Sequence, residues 1–383
     1  MPEISRVRAV SIITFLVALL IGTFFLALSL GPTTVPFSEF IPDDPLGMLG
    51  SLISGGDIAG FFSDQTSYLI VYSIRLPRVI AAILVGAGLA AAGAAMQGLF
   101  RNSMADPYII GTSSGGAFGA AFTIVFMGGL FLPVFAFFGA IGSTFLVYAI
   151  ATRHGRASVE TLLLTGIAIS MFFSSSLSFL MYSAGKSLHQ IVFWLMGGFW
   201  NVSWNDVWLG LLIPIGGILL IALARDLNIL SLGEEDALHL GVNVEQFKRI
   251  LLFLSSAVTA IAVSIAGSIG FIGLITPHVM RLIVGPDHRI LFPASMLAGG
   301  LFLLIADTLT RSFLGVMPVG VITSFVGAPV LIRVRGRGVG ACWVGASAGG
   351  GVGVWGSSGG FGGGGGMGGG SAASGGGAAG GRR

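Results

Sequence analysis

Apolar runs of roughly membrane-spanning length recur along this chain with little polar sequence between them. Nothing constrains the fold more. In hydrocarbon every backbone N–H and C=O must find its partner within the protein, so such runs can only be helices. About ten are read, near 9–30, 79–100, 109–127, 130–151, 161–182, 207–224, 250–266, 269–284, 290–309 and 319–332. The balance of residues agrees: 54% of the 383 are hydrophobic and 9% are charged, far too apolar for a soluble chain of this size. The fold class expected is an all-α polytopic membrane protein. Residues 9–30 are long enough to span, and Leu30-Gly31-Pro32 is a poor cleavage site, so this run is read as a retained span.

Charge sets the orientation. With the N-terminus in the cytoplasm and the spans alternating, only Arg75, Arg78, Lys186 and Arg311 of the 19 Lys and Arg fall outside. The outer segment 31–67 carries Glu39, Asp43, Asp44, Asp57 and Asp64 and no base, but acidic residues orient weakly and add no support. Spans two to five and seven to ten then run in opposite senses, the topology of an inverted repeat. The sequence echo is faint: AGAAMQGLFRNSMADP and AGSIGFIGLITPHVMR share little beyond small residues and a basic end. GAGLAAAGAA at 86–95 marks the second span as one packed inside the bundle, because small residues let helix backbones approach closely. Residues 191–200 are too short to span. Trp194 and Trp200, with Trp204 and Trp208 nearby, suit an outer interfacial belt.

One long charged segment interrupts the apolar pattern: RDLNILSLGEEDALHLGVNVEQFKR, residues 225–249. It predicts two short helices outside the bilayer. Ser231 followed by Glu234 fits a capping box, and Glu234, Glu235 and Asp236 sit where a helix dipole favours negative charge. Gly241 ends that helix. Asn243 caps the next, which carries Lys248 and Arg249 into a new apolar run. A rigid polar knob between two membrane halves is a place for another protein to push; a solvated connector is the plainer alternative.

Candidate chemistry is sparse. The two lysines, Lys186 and Lys248, do not sit in a phosphate-binding GxxxxGK[ST] loop, so any ATP hydrolysis belongs to another chain. The single Cys342 excludes an internal disulfide, and the five histidines, His154, His189, His239, His278 and His288, lack metal-ligand spacing. No cofactor, metal or nucleic-acid partner is expected. Gly111 to Gly115 reads G-x-S-x-G, which would make Ser113 a nucleophile with His278 as base, as in an intramembrane serine protease. The structural alternative is a small-residue helix entry. Gln97, Asn102 and Asp106, near the inner end of the second span, either line a cavity or bond across helices, and bonding is expected. Arg75, Arg78 and Arg311 sit at outer span ends. They either snorkel to lipid headgroups or present cationic posts to acidic side chains of an extracytoplasmic partner. An ion-coupled secondary transporter stays open, although paired intramembrane carboxylates are lacking. From Gly336 onward about half the residues are Gly, so 333–383 is expected to be a disordered tail behind a 1–332 membrane domain.

Four ordered stretches carry a resemblance: RLPRVIAAILVGAGLAAAGAAMQGLFRNSMADPYIIG, LGEEDALHLGV, GSIGFIGLITPHVMRLIVGPDHR and MPVGVITSFVGAPV. Together they resemble the FecCD-type permeases of ABC importers for iron–siderophores, haem and cobalamin, over residues 9–332. The resemblance implies a type II importer permease fold with ten spans per subunit in the cytoplasmic membrane. It implies a dimer around a central path, two cytoplasmic ATPase subunits, and a soluble substrate-binding protein outside. It implies that Arg75 and Arg78, through R-L-P-R, and Arg311, through A-D-x-x-x-R, meet glutamates on the binding protein. Gly233, Glu234, Ala237, Leu240 and Gly241 would belong to the element that seats in the ATPase. An inner gate is expected near Asn102 and Met104 and near Ser158. Iron–siderophore is the favoured cargo because it is the commonest in the family, with haem and cobalamin as alternatives. The C-terminus departs from the family: Leu331-Ile332-Arg333-Val334-Arg335 breaks the last apolar run, and the Gly-rich tail follows.

Overall fold

A computed structural model describes residues 6–32, 69–152, 157–313, 315 and 317–335. The acidic outer segment and the Gly-rich tail lie almost wholly outside the described residues. The described chain is helical throughout. The first helix, α1, is Arg6–Ser29. A π-helical turn, Leu69–Arg75, leads into α2 (Leu76–Leu99). Then come α3 (Thr112–Met127), α4 (Leu132–Ala151), α5 (Val159–Ser183), α6 (Leu188–Leu195), α7 (Trp204–Gly210) and α8 (Leu212–Ala222). The second half holds α9 (Ala224–Leu230), α10 (Glu234–His239), α11 (Val244–Ala266), α12 (Ile272–Val284), α13 (His288–Phe313) and α14 (Val319–Arg335).

Among the described residues seven helices are long and apolar enough to cross a membrane, α7 and α8 counting as one broken span over Trp204–Ala222. Pro214 has no N–H to offer Gly210, and the helix yields at Leu211. Each expected span finds a helix at its place, but Thr112–Met127, Ile272–Val284 and Val319–Leu331 are shorter, so ten full crossings are not established. The 13 residues of α12 rise only ~20 Å against a hydrocarbon core of ~30 Å. α14 runs on to Arg335, beyond the expected end at 332.

α2 is the axis of the fold. Over its most apolar window 78% of residues are buried, against 11% for α5 and for α1. Its glycines set how close the neighbours come. A Cβ on Gly86 would lie 2.3 Å from the Gly299 carbonyl oxygen of α13, and one on Gly93 only 1.8 Å from that of Gly273 in α12. Only bare backbone fits there, as the GAGLAAAGAA pattern predicts. α3 and α4 pair in the same way at Gly115 and Gly139. α1 lies against α13, where Leu16 clusters with Leu291 and Leu301 and with Met280 of α12.

The short helices have a physical cause. After α2 and again after α11 the chain continues as irregular backbone inside the bundle, and it enters the next helix through a left-handed residue: Gly111 at φ +82° and Phe271 at φ +70°. Irregular backbone at that depth needs internal partners. The first stretch closes much of its own backbone in turns, and side chains of the first half reach the second. Tyr108 Oη donates to Ile269 O at 3.1 Å, and Ser113 Oγ lies 2.8 Å from Ser268 Oγ. Gln97 Nε2 donates to Leu274 O at 2.8 Å. The expected bonding across helices therefore holds for Gln97, while Asn102 and Asp106 bond locally, each accepting an N–H two residues on, from Met104 and Tyr108.

Candidate functional site

The polar knob differs in detail from its sequence reading. Ser231 does not cap α10: it still belongs to the end of α9, and its hydroxyl donates to Leu227 O at 2.8 Å. Gly233 occupies the cap position instead, at φ +156°. With Ser231 turned back, no capping box with Glu234 forms. Gly241, at φ +85°, closes α10 as expected. Asn243 caps α11 as expected, its side chain accepting from Gln246 N at 3.2 Å. The second short helix is not separate, however. α11 runs unbroken from Val244 into the membrane, because Lys248 is buried against partners and does not mark a boundary.

α10 is bare on one side. Ala237 is buried beneath it, whereas Leu232, Leu238 and Leu240 are 69%, 60% and 61% exposed. Apolar side chains this bare, on an element that also carries Glu235 and Asp236, suit burial in another protein. Leu232 and Leu238 escaped the sequence reading; their signal was an apolar residue flanking an acidic turn. Both flanks of the knob are tied to the bundle. Asn228 of α9 accepts from His288 N at 3.0 Å and lies 2.7 Å from His288 Nδ1, at the root of α13. Its amide donates to Asp287 at 2.6 Å. On the other side Lys248 Nζ lies 2.7 Å from Glu234 Oε2.

At the opposite end of α2 the three arginines lie together and point inward. Arg75 is 4% exposed and Arg311 is 6% exposed. Arg75 Nη1 donates to Leu28 O at 2.7 Å and Ser29 O at 3.0 Å, and Arg311 donates to Ala27 O. Both thus satisfy the open carbonyls at the C-terminus of α1, where positive charge is favoured. Arg78 is held by Asp307: Nη2 is 2.7 Å and Nε 2.9 Å from Oδ1, with Nε 3.1 Å from Oδ2. Arg311 Nε stands 3.8 Å from the same carboxylate. Asp307 thus offsets one charge of the Arg78 and Arg311 pair. Asp307 was not singled out in the sequence, although the A-D-x-x-x-R spacing sets it one helical turn before Arg311.

The expected gate residues lie on separate elements. Asn102 and Met104 form one turn after α2, and Ser158 caps α5, accepting from Thr161 N at 3.2 Å. The G-x-S-x-G serine lacks a base: Ser113 is 4% exposed and its hydroxyl partner is Ser268. No cluster of His, Cys, Asp or Glu fit to hold a metal occurs among the described residues.

Known proteins share this arrangement. The chain is 48% identical over 271 residues to the cobalamin import system permease protein BtuC of Halobacterium salinarum, covering 70% of this chain and 73% of that one. It is 40% identical over 283 residues to the vitamin B12 import system permease protein BtuC of Klebsiella pneumoniae, covering 70% and 84%. To the molybdate import system permease protein MolB of Haemophilus influenzae it is 38% identical over 275 residues, covering 70% and 81%. A solved structure described as an inward-facing, metal-chelate type ABC transporter superimposes with a TM-score of 0.74 at 32% identity, over 85% of this chain and 98% of that one. Residues 15–336, which hold the knob, the inward arginines and both internal stretches, match the FecCD transport family, and the chain belongs to it.

Proposed function

We propose that this chain is the permease subunit of an ATP-driven importer, passing a metal chelate from an extracytoplasmic binding protein into the cytoplasm. The observation that carries the reading is the knob: a short element with three bare leucines, tied on both flanks to membrane-spanning helices. A lever worked by a separate ATPase needs both properties. On this reading Gly233, Glu234, Ala237, Leu240 and Gly241 seat in the ATPase. Arg75, Arg78 and Arg311 form the rim at which a binding protein docks, its carboxylates meeting their guanidinium groups. Asn102, Met104 and Ser158 lie near the inner gate.

A second copy of the chain completes the path. α5 is largely uncovered, yet its exposed face carries Ser174, Ser175 and Ser178 beside Met171 and Tyr182. Hydroxyls at that depth favour a wet path between subunits over lipid.

The named relatives make cobalamin the cargo to test first, ahead of the iron–siderophore suggested by family frequency. The test is co-expression with the neighbouring genes, native mass spectrometry of the extracted complex, and uptake by proteoliposomes carrying it. Two copies of this chain with two of an ATPase, and ATP-dependent uptake of cyanocobalamin that a ferric siderophore does not compete away, would support the reading. A chain that retains no ATPase in several mild detergents would refute it. Uptake of the siderophore alone would refute only the cargo.

A further inference from the structure

Lys248 is one of two lysines in the chain and is 2% exposed. A buried ammonium is tolerated only when it is paired and hydrogen-bonded. Its partners come from three elements. Glu234 Oε2, at the start of α10, lies 2.7 Å away, and Glu245 Oε1, at the start of α11, 3.3 Å away. The third is the carbonyl of Ala157, at 3.4 Å, one residue before the cap of α5. The other oxygen of Glu245 accepts from Ala157 N at 3.2 Å. Ala157 is therefore held at both its N–H and its C=O, and the ring closes through Glu245.

This ring lies where three motions would have to be joined. α10 carries the bare Leu238, with Leu232 and Leu240 flanking it. α11 is two-thirds buried and fixed in the bundle, with 67% of its apolar window covered. α5 is the opposite, covered over only 11% of its window, so its position depends strongly on how its root is held. We propose that Lys248 is the positioning residue that carries movement of α10 to α5, by holding α10, the root of α11 and residue 157 as one body. The proposal rests on the reading of α10 as the ATPase-facing element. Without the lysine, Glu234 and Glu245 would face each other as like charges, and the joint would open.

The test needs no knowledge of the cargo. A Cys342→Ser chain carrying Glu160→Cys, exposed in the first turn of α5, is assembled with its ATPase in nanodiscs. The rate of maleimide labelling at position 160 is compared without nucleotide and with ATP–vanadate. The expected result is a several-fold change in rate in this background. Lys248→Met should abolish the change while the complex still hydrolyses ATP, and Lys248→Arg should restore most of it. If Lys248→Met fails to fold, Glu234→Gln, which removes the charge of the closest partner at a partly exposed site, is expected to blunt the change in its place. A Lys248→Met or Glu234→Gln complex that keeps the full change would overturn the proposal and leave the importer reading standing. A background chain that shows no nucleotide response would also overturn it. A chain that holds no ATPase at all would overturn the importer reading, and the proposal with it.

Discussion

Leu238 gives the sharpest test of where the ATPase sits. Fully burying a leucine is worth about 1.5–3 kcal/mol. Leu238 is 60% exposed, so about 0.9–1.8 kcal/mol of that remains available to a partner. Leu238→Ala should then weaken ATPase binding about 5- to 20-fold. Replacing Leu232, Leu238 and Leu240 together should weaken it about 100-fold or more. The isolated chain should melt within a degree or two of wild type, because these side chains bury little within it. Leu164→Ala on α5, a residue 69% exposed and not part of the knob, is the matched control and should bind as wild type does. The assay is a titration of nanodisc-embedded chain with labelled ATPase at fixed nucleotide and salt. If the triple variant bound within twofold of wild type, the leucines would not lie in the interface and the knob would have to act through another face.

Gly93→Ala sets a Cβ 1.8 Å from a backbone oxygen, so α2 and α12 must separate; about 3 kcal/mol or more should be lost, read as thermal unfolding in detergent. Gly22→Ala, with nothing within 4 Å, should be neutral or gain up to about 1 kcal/mol. Asp307→Asn leaves Arg78 without its counter-charge and should cost about 3 kcal/mol, the low end for a broken buried pair because Arg78 still reaches solvent; Asp307→Glu should recover part of it in the same melt. Ser113→Ala should keep uptake within about twofold and cost about 1 kcal/mol, and a fluorophosphonate probe should not label the wild-type chain. A chain ending at Arg337 should transport as the full chain does, with loss of uptake as the refuting result.

The helices were legible because hydrocarbon leaves the backbone no other choice, and the burial of α2 was legible because only small side chains allow the approach seen at Gly86 and Gly93. Local signals misled where two of them competed. Ser231 can cap a following helix or end a preceding one, and α9 continued long enough to claim it. The burial of Lys248 was not visible because it depends on tertiary contact, with Glu234, 14 positions away, and with residue 157, 91 positions away. The inward partners of the arginines were hidden for the same reason: Arg78 meets a carboxylate 229 residues on, and Arg311 meets a carbonyl 284 residues back. Periodicity finds elements, but it does not find pairings of that span.

The bond from Tyr108 to Ile269 joins residues 161 positions apart, and that distance is also an interval of time. At ~5–20 residues per second, the ribosome needs ~8–30 s to deliver Ile269 after Tyr108 has been made. Throughout that interval the turn before α3 is in or near the bilayer with its phenol, and the serine that follows it, unmet. The first half of this protein therefore cannot finish folding as it is inserted. It must be sheltered by the insertion machinery, or wait in the headgroup region, until the second half arrives. Substitutions that strip polar groups from 267–271 should then show their harm first in biogenesis, as degraded half-inserted chains, and only afterwards in transport.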